Sequence, residues 1–295
     1  MSSVSPWQAW LLAIRLRTLP VALAPVVVGT AVAFSAGQAR FLPALAAGLG
    51  ALGLQVVSNL ANDLFDFESG ADGEDRIGPA RASQLGLLNS TQMWTGMAVV
   101  IGLTVLVGFY LLAVAGWPVV VVGILSILAA LAYTGGPWPF GYKGLGDPAV
   151  FFFFGVVAVT GTYYVQALAW STPAFLTSLP VGALATAILV VNNVRDIESD
   201  TRAEKNTLAV RFGRRFGIQE YVGLMGLAYG LLPVFWLGLD RSIFVLLPLL
   251  SLPRAIGLCR TLAREVEGPP LNAALAGTAQ LSLFFSVLLA VGWLL

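Results

Sequence analysis

Nine apolar segments, each close to the length that crosses a lipid bilayer, constrain this chain of 295 residues more than any other feature. A bilayer core about 30 Å thick requires roughly 20 mainly apolar residues in a helix. Such segments occupy approximately residues 19–36, 41–62, 94–113, 115–133, 147–166, 174–192, 221–238, 242–258 and 272–295. We therefore expect an all-α polytopic membrane protein, a bundle of nine transmembrane helices in one domain spanning residues 1–295.

Composition supports this class and narrows the chemistry. The chain is 58% hydrophobic and only 11% charged, and soluble domains are nearer a quarter charged. Its net charge of +1 gives no indication of a nucleic-acid partner. Cys259 is the single cysteine and histidine is absent, so an internal disulfide and imidazole ligands are both excluded. A bound metal ion would need oxygen ligands.

The basic residues predict an orientation. Threading the chain through nine spans places fourteen of the sixteen Lys and Arg residues on one side and leaves only Arg40 and Arg241 on the other. By the positive-inside rule the rich side is cytoplasmic, which gives an inside N-terminus and an outside C-terminus. All acidic residues except Asp240 fall on or near the same side. This distribution predicts a functional site that faces the cytoplasm.

Two polar stripes stand out on that side. Asn59, Asn62, Asp63 and Asp66 share one face if the second predicted helix continues that far. Asn192, Asp196 and Asp200 follow the sixth helix at a spacing of four residues. Asp63 and Asp196 are 133 positions and four spans apart, which indicates a distant internal duplication.

Clustered carboxylates at a membrane boundary require cations, because an unpaired ionised group in a low-dielectric site costs several kcal/mol. Mg²⁺ suits the stripes, since it is usually held by one or two carboxylates together with substrate phosphates. Further cations lie beside the stripes and are donors for phosphate oxygens: Arg15, Arg17, Lys143, Arg195, Arg202, Lys205 and Arg211. The pattern predicts a magnesium–polyphosphate site.

The chain resembles the UbiA superfamily of intramembrane aromatic prenyltransferases. The resemblance lies in "RLRTLPVALAPVVVGTA", "NDLFDFESGAD" followed by "GPARA", "YTGGPWPFGYKGLGD" and "NNVRDIESDTRAEKNTLAVRFG", and it extends from Arg15 to the last helix. Within the superfamily these motifs resemble the branch that prenylates 1,4-dihydroxy-2-naphthoate in menaquinone synthesis. The resemblance implies a bacterial inner-membrane enzyme that binds a polyprenyl diphosphate through Mg²⁺ and releases diphosphate and CO₂.

The resemblance also assigns roles to individual residues. Asn62, Asp63 and Asp66 match the first diphosphate–magnesium motif, with Asn59 as a polar support one turn earlier. Gly70 stands where the general superfamily pattern has another Asp, so the next acid, Asp72, is a less certain member of the site. Asp196 and Asp200 match the second pair of metal-binding carboxylates and are preceded by Asn192 and Asn193. Lys143 matches a basic residue in the loop after helix four, next to the diphosphate.

Other functions remain open at this point. A prenyltransferase acting on another ring, such as 4-hydroxybenzoate or a chlorophyll precursor, would carry the same stripes. A secondary transporter also uses acidic residues and repeats, but it places coupling charges near the midplane. The Asp-Gly-x-x-Ala-Arg arrangement of membrane phosphotransferases of the CDP-alcohol type is missing from the chain.

Overall fold

The computed structural model describes residues 5–70 and 77–295, and every regular element within these two ranges is helical. Within the described residues, eight helical segments are long and apolar enough to cross a membrane: Pro6–Ser35, Phe41–Glu68, Ser90–Ala115, Gly146–Ala167, Thr172–Arg195, Leu208–Gly238, Ile243–Arg264 and Gly268–Leu294. The helix Pro118–Ala132 is apolar but shorter. The predicted all-α membrane fold is confirmed, and each predicted segment corresponds to a helix, but the ninth span stays a prediction.

The helices are named in chain order: α1 Pro6–Ile14, α2 Leu19–Ser35, α3 Phe41–Glu68, α4 Ser90–Ala115, α5 Pro118–Ala132, α6 Gly146–Val150, α7 Ala158–Ala167, α8 Thr172–Arg195, α9 Ile197–Arg202, α10 Leu208–Gly230, α11 Leu252–Arg264 and α12 Gly268–Leu294. A π-helix, Phe151–Val157, joins α6 to α7, a second one spans Val234–Gly238, and 3-10 turns cover Leu16–Thr18, Phe140–Lys143 and Ile243–Ser251.

Local sequence explains where several helices begin and end. Ser5 with Gln8 forms a reciprocal capping box at the start of α1, and Asn89 with Gln92 does the same for α4. Arg15 adopts a left-handed conformation that ends α1, so the first apolar stretch consists of two helices joined at a turn. This turn places Arg15 against the interior of the bundle.

Helix α8 lies at the centre of the bundle and is the most buried of the candidate spans. It packs against α10, α12 and the π-helix Phe151–Val157. Gly155 and Gly182 allow the π-helix and α8 to touch, because a Cβ added to Gly155 would lie 2.6 Å from the Cα of Gly182. Close backbone approach through small residues is the usual way in which membrane helices pack.

The two ends of the bundle differ in character. At one end, the backbone N–H of Arg40 donates to the side-chain oxygen of Gln166 at 3.2 Å, and the indole N–H of Trp293 donates to the hydroxyl of Ser35 at 2.9 Å. Arg241 lies over the ring of Trp293 at this same end. The opposite end contains the end of α3, the loop 133–145 and the segment 196–207, which together carry the predicted polar stripes.

Candidate active site

Asp66 joins three parts of the chain near the end of α3. Its Oδ2 accepts from Nη2 of Arg81 at 2.9 Å, and its Oδ1 accepts from the hydroxyl of Tyr142 at 2.7 Å. Tyr142 belongs to the Gly-rich loop 133–145, and Arg81 belongs to the "GPARA" segment. Asp66 is buried and lines a large cavity, so it anchors both loops beside that cavity.

Asp63 makes different contacts. Its two carboxylate oxygens accept from the backbone N–H groups of Ala82 and Ser83, each at 3.1 Å, and the side chain is fully buried. These bonds hold the turn that carries Arg81 next to Asp66. The structure therefore gives Asp63 a role in fixing this loop, and its predicted contact with Mg²⁺ stays a prediction.

The amides of the first stripe connect α3 to its neighbours. Asn59 donates to the carbonyl of Ile14 at 2.8 Å and to the hydroxyl of Thr18 at 2.9 Å, so it fixes the turn between α1 and α2. The Oδ1 of Asn62 accepts from Thr134 at 3.0 Å. Both amides also line the cavity, and their contact with a diphosphate stays a prediction.

The second stripe does not lie on a single helix. Helix α8 ends at Arg195 and α9 begins at Ile197, so Asp196 lies at the junction. This break lets Arg195 reach its chain neighbour Asp196 in a bidentate pair, with distances of 2.7 and 2.6 Å. Arg195 also donates to Asn192 and Asn272, both at 2.7 Å. It therefore orients Asp196 and Asn192, in addition to lining the cavity as a predicted phosphate donor.

Lys205 brings the two stripes together electrostatically. Its Nζ lies 3.6 Å from Oδ1 of Asp200 and 5.4 Å from the centre of the Tyr142 ring. Burial lowers the pKa of Lys205, but the negative charges of Asp66 and Asp200 outweigh this effect and the net pKa is raised. Burial, with the nearby charges of Asp196 and Asp66, raises the pKa of Asp200 to about 6.

The carboxylates fit a magnesium site that is completed by a phosphorylated substrate. Oδ2 of Asp200 is buried and has no hydrogen-bond partner among the described residues. The described part of the chain contains no group of three acidic, cysteine or histidine side chains that would hold a metal ion unaided. Mg²⁺ characteristically takes one or two carboxylates and obtains its remaining ligands from phosphates and water, so this donor set suits it.

The structure does not bring every predicted residue to the cavity. Arg211 donates to the backbone oxygens of Lys143 and Asn206, at 2.9 and 3.1 Å, and neither Lys143 nor Arg211 belongs to the described cavity wall. Asn193 points away from Asn192 and donates weakly, at 3.4 Å, to the buried Asp147. The predicted residue Asp72 lies outside the described residues.

Three residues of the site were not assigned by the sequence reasoning, namely Arg81, Tyr142 and Asn272. Arg81 stood inside a quoted motif, and Tyr142 precedes the predicted Lys143. Asn272 bonds to Arg195 and also donates to the carbonyl of Ile77 at 3.2 Å. An Asn at the start of an apolar span was the one available signal for it, because polar residues in such spans are functional candidates.

The cavity beside these residues has a volume of about 1610 Å³. Arg15, Asp66, Arg195 and Lys205 line one end of it. Most of the remaining wall is apolar and includes Phe152, Phe153 and Phe154 from the π-helix. Fold and site together define a multi-span membrane protein in which Asp66 and several cations line one end of a long apolar cavity, and Asp200, which does not line it, contacts the cavity residue Lys205.

The chain belongs to the UbiA prenyltransferase family, whose sequence profile matches residues 22–288. It is 38% identical over 295 residues to the 1,4-dihydroxy-2-naphthoate octaprenyltransferase of Escherichia coli, covering 98% of this chain and 96% of that protein. The protein of the same name from Mycobacterium tuberculosis is 41% identical over 219 residues, covering 74% and 75%. The resemblance predicted from the motifs is thereby confirmed.

Solved structures support the same fold. A UbiA homologue from Aeropyrum pernix superposes with a TM-score of 0.70 at 12% identity, covering 93% of this chain and 96% of that one. A UbiA homologue from Archaeoglobus fulgidus bound to DMAPP and Mg²⁺ gives a TM-score of 0.66 at 17% identity, covering 97% and 98%. Both comparisons extend over nearly the whole bundle.

Proposed function

We propose that this protein is a Mg²⁺-dependent prenyltransferase that joins a polyprenyl group to 1,4-dihydroxy-2-naphthoate. The observation that carries the proposal is the meeting of Asp66 and Asp200 around Lys205 at the polar end of an apolar cavity. Such an end suits a diphosphate, and the cavity suits an isoprenoid chain. The names of the similar bacterial proteins support the naphthoate as acceptor.

We assign bound Mg²⁺ to the carboxylates of both stripes, Asp66, Asp196 and Asp200 with Asp63 as the predicted fourth, so that an ion takes one or two of them and obtains its other ligands from the diphosphate and water. When bound, the ion would neutralise negative charge that develops on the leaving diphosphate. Lys205 and Arg15 lie at the same end of the cavity and supply positive charge for the phosphate oxygens. Lys143 and Arg211, at the outer loop, remain predicted contacts of the diphosphate.

Asn62 and Asn192 play matching parts in the two stripes. The side-chain oxygen of Asn62 accepts from Thr134, and that of Asn192 accepts from Arg195. These contacts orient both amides, so that within the described residues their amino groups are left to donate toward the cavity that both line. We assign these amino groups to oxygens of the diphosphate.

The reaction needs no nucleophile from the protein. The C1–O bond of the prenyl diphosphate breaks, and its electron pair leaves with the diphosphate. The ring carbon that bears the carboxylate attacks C1, and loss of CO₂ returns the electron pair to the ring and restores aromaticity. The apolar wall, including Phe152 and Phe153, keeps water from the allylic cation.

We place the carboxylate end at the cytoplasmic face of a bacterial inner membrane, with the N-terminus inside and the C-terminus outside. Fourteen of the sixteen Lys and Arg residues fall on the side of the predicted site. The two exceptions, Arg40 and Arg241, lie at the opposite end of the bundle, which supports this orientation.

The test uses purified protein in detergent with Mg²⁺, a radiolabelled polyprenyl diphosphate and either 1,4-dihydroxy-2-naphthoate or 4-hydroxybenzoate. Lipid-extractable product and released CO₂ are measured together. We expect both products with the naphthoate, and neither in EDTA. Product with the benzoate alone would replace the proposed acceptor, and no product with either ring would refute the proposed function.

A further inference from the structure

The cavity runs along the bundle for about the thickness of a membrane. On α3 its wall extends from Ala47 to Asp66, and on α5 from Pro118 to Ala130. At 1.5 Å per residue these stretches are about 29 and about 18 Å long. The hydrocarbon core of a bilayer is about 30 Å thick, so the cavity extends from the polar site nearly to the other side.

Four glycines widen the cavity far from the polar site. Gly50, Gly108, Gly123 and Gly161 each line it, and they belong to α3, α4, α5 and α7 respectively. A Cβ added to any of them would meet no atom within 4 Å. We call these four residues the glycine belt.

The belt glycines differ from those that pack helices together. A Cβ added to Gly29 would lie 2.6 Å from the carbonyl oxygen of Val159, and one added to Gly155 would lie 2.6 Å from the Cα of Gly182. Those glycines allow two backbones to touch. The belt glycines leave space that a side chain would fill without striking another helix.

Contacts between helices place the belt at one depth. Gly53 faces Thr104 on the neighbouring antiparallel helix, so Gly108, one turn further along α4, is level with Leu49. Gly135 faces Phe65, and α5 runs parallel to α3, so Gly123 is level with Gly53. These two belt members therefore lie near the level of Gly50.

The fourth member is placed by way of α2. A Cβ added to Gly48 would lie 3.8 Å from Cγ1 of Val26, so Gly29, three residues further along the antiparallel α2, is about level with Leu45. Gly29 in turn faces Thr162, the neighbour of Gly161. The four glycines thus lie within about 12 Å of one another along the bundle, centred about 24 Å from the level of Asp66.

We propose that the polyprenyl chain of the substrate runs lengthwise through the cavity and past the glycine belt, and that the belt determines how long a chain the site accepts. This inference rests on the proposed function. An isoprene unit adds four carbon–carbon bonds of roughly 1.5 Å and advances an extended chain by about 5 Å, so about five units fit between Asp66 and the belt. Shorter chains end before the belt, and longer chains must pass it.

A matched pair of variants on α4 tests the proposal. Gly108→Leu places a side chain inside the belt. Gly102→Leu places the same side chain on the same helix at an exposed position that also has open space but does not line the cavity. Turnover and Mg²⁺-dependent binding are measured with prenyl diphosphates of two, three and eight isoprene units.

We expect Gly108→Leu to lower kcat/KM and affinity for the eight-unit diphosphate by about tenfold or more, since overfilling a packed space costs roughly this much. Both quantities should stay within about twofold of wild type for the two- and three-unit diphosphates, and Gly102→Leu should change none of them. Gly161→Leu, on α7, should repeat the effect.

Equal binding and turnover of the eight-unit diphosphate by wild type, Gly108→Leu and Gly161→Leu would overturn the proposal, and would mean that the chain leaves sideways into the lipid before the belt. Failure of the proposed function gives a different result. In that case no aromatic acceptor is prenylated by the wild type with any diphosphate, and the binding measurements alone decide whether long chains pass the belt.

Discussion

Replacing Asp63 by Asn should destabilise the protein even when no metal or substrate is present. Both oxygens of Asp63 accept backbone N–H groups, at 3.1 Å, from the turn that carries Arg81. A hydrogen bond to a charged group contributes about 1.5–3 kcal/mol, and a buried donor left without an acceptor costs about 1–3 kcal/mol. Asn keeps one oxygen and turns its amino group toward the second N–H, so we expect a loss of about 2–5 kcal/mol.

The measurement is denaturant-induced unfolding in detergent micelles with EDTA, together with prenyl transfer in Mg²⁺. Asp200→Asn is the matched control, because Oδ2 of Asp200 has no hydrogen-bond partner among the described residues and Oδ1 faces only Lys205, at 3.6 Å. We expect both variants to lose activity. Only Asp63→Asn should also unfold at a lower denaturant concentration in EDTA.

The reasoning fails if Asp63→Asn unfolds like wild type in EDTA and loses only the stabilisation that Mg²⁺ and diphosphate provide. Asp63 would then act through the metal ion alone, and the two backbone hydrogen bonds would be energetically unimportant. Limited proteolysis within residues 77–88 supplies an independent measure, because the variant should release this segment before the rest of the bundle unfolds.

Three further outcomes follow from contacts around Lys205. Because the pKa of Asp200 is about 6 when folded and about 3.8 when unfolded, wild type in EDTA should lose about 2 kcal/mol relative to Asp200→Asn as pH rises from about 4 to about 7. Below about pH 6 the proton should also compete with Mg²⁺, which titrations at two pH values would detect. Tyr142→Phe removes the 2.7 Å hydrogen bond to Asp66 and should lower kcat/KM about tenfold. As a control, Tyr229→Phe removes a hydrogen bond to Ser251, outside the candidate site, and should leave kcat/KM unchanged. Lys205→Met should lower the free energy of unfolding in EDTA and should increase the further stabilisation that Mg²⁺ provides without diphosphate. Lys143→Met, at an exposed residue, should change neither quantity.

Much of the fold was predictable because membrane spans are long and uniformly apolar. The predicted segment 147–166 corresponds to Gly146–Ala167, and 41–62 to the first part of Phe41–Glu68. The prediction started one span at residue 221, but helical structure begins at Leu208 and, after a break at Gly213, continues to Gly230. Arg211, Arg214 and Arg215 lower the hydropathy of that first part, although they do not oppose helix formation. Hydropathy locates the apolar part of a helix and misses its polar extension.

Within the candidate site, the sequence could predict only the residues that recur at the spacing of a helix. The stripes on α3 and after α8 follow from side chains three and four residues apart. The pair of Arg195 with Asp196 does not follow, because adjacent residues in a continuous helix do not face each other, and the pair requires the break after Arg195. The partners of Asp66 lie 15 and 76 positions away, and no periodicity links residues so distant.

In each stripe one carboxylate is held by the protein itself and the other lies near Lys205, although the surrounding residues differ. The first acid of each is tied to the protein itself, Asp63 by two backbone N–H groups and Asp196 by the guanidinium of Arg195. The second acid of each, Asp66 or Asp200, raises the pKa of the shared Lys205. If the stripes arose by duplication, one acid of each kept its place beside the common cation, because the diphosphate chemistry that we propose requires it. The first acids also hold their own loops in place, and a turn of backbone and an Arg side chain both serve that purpose.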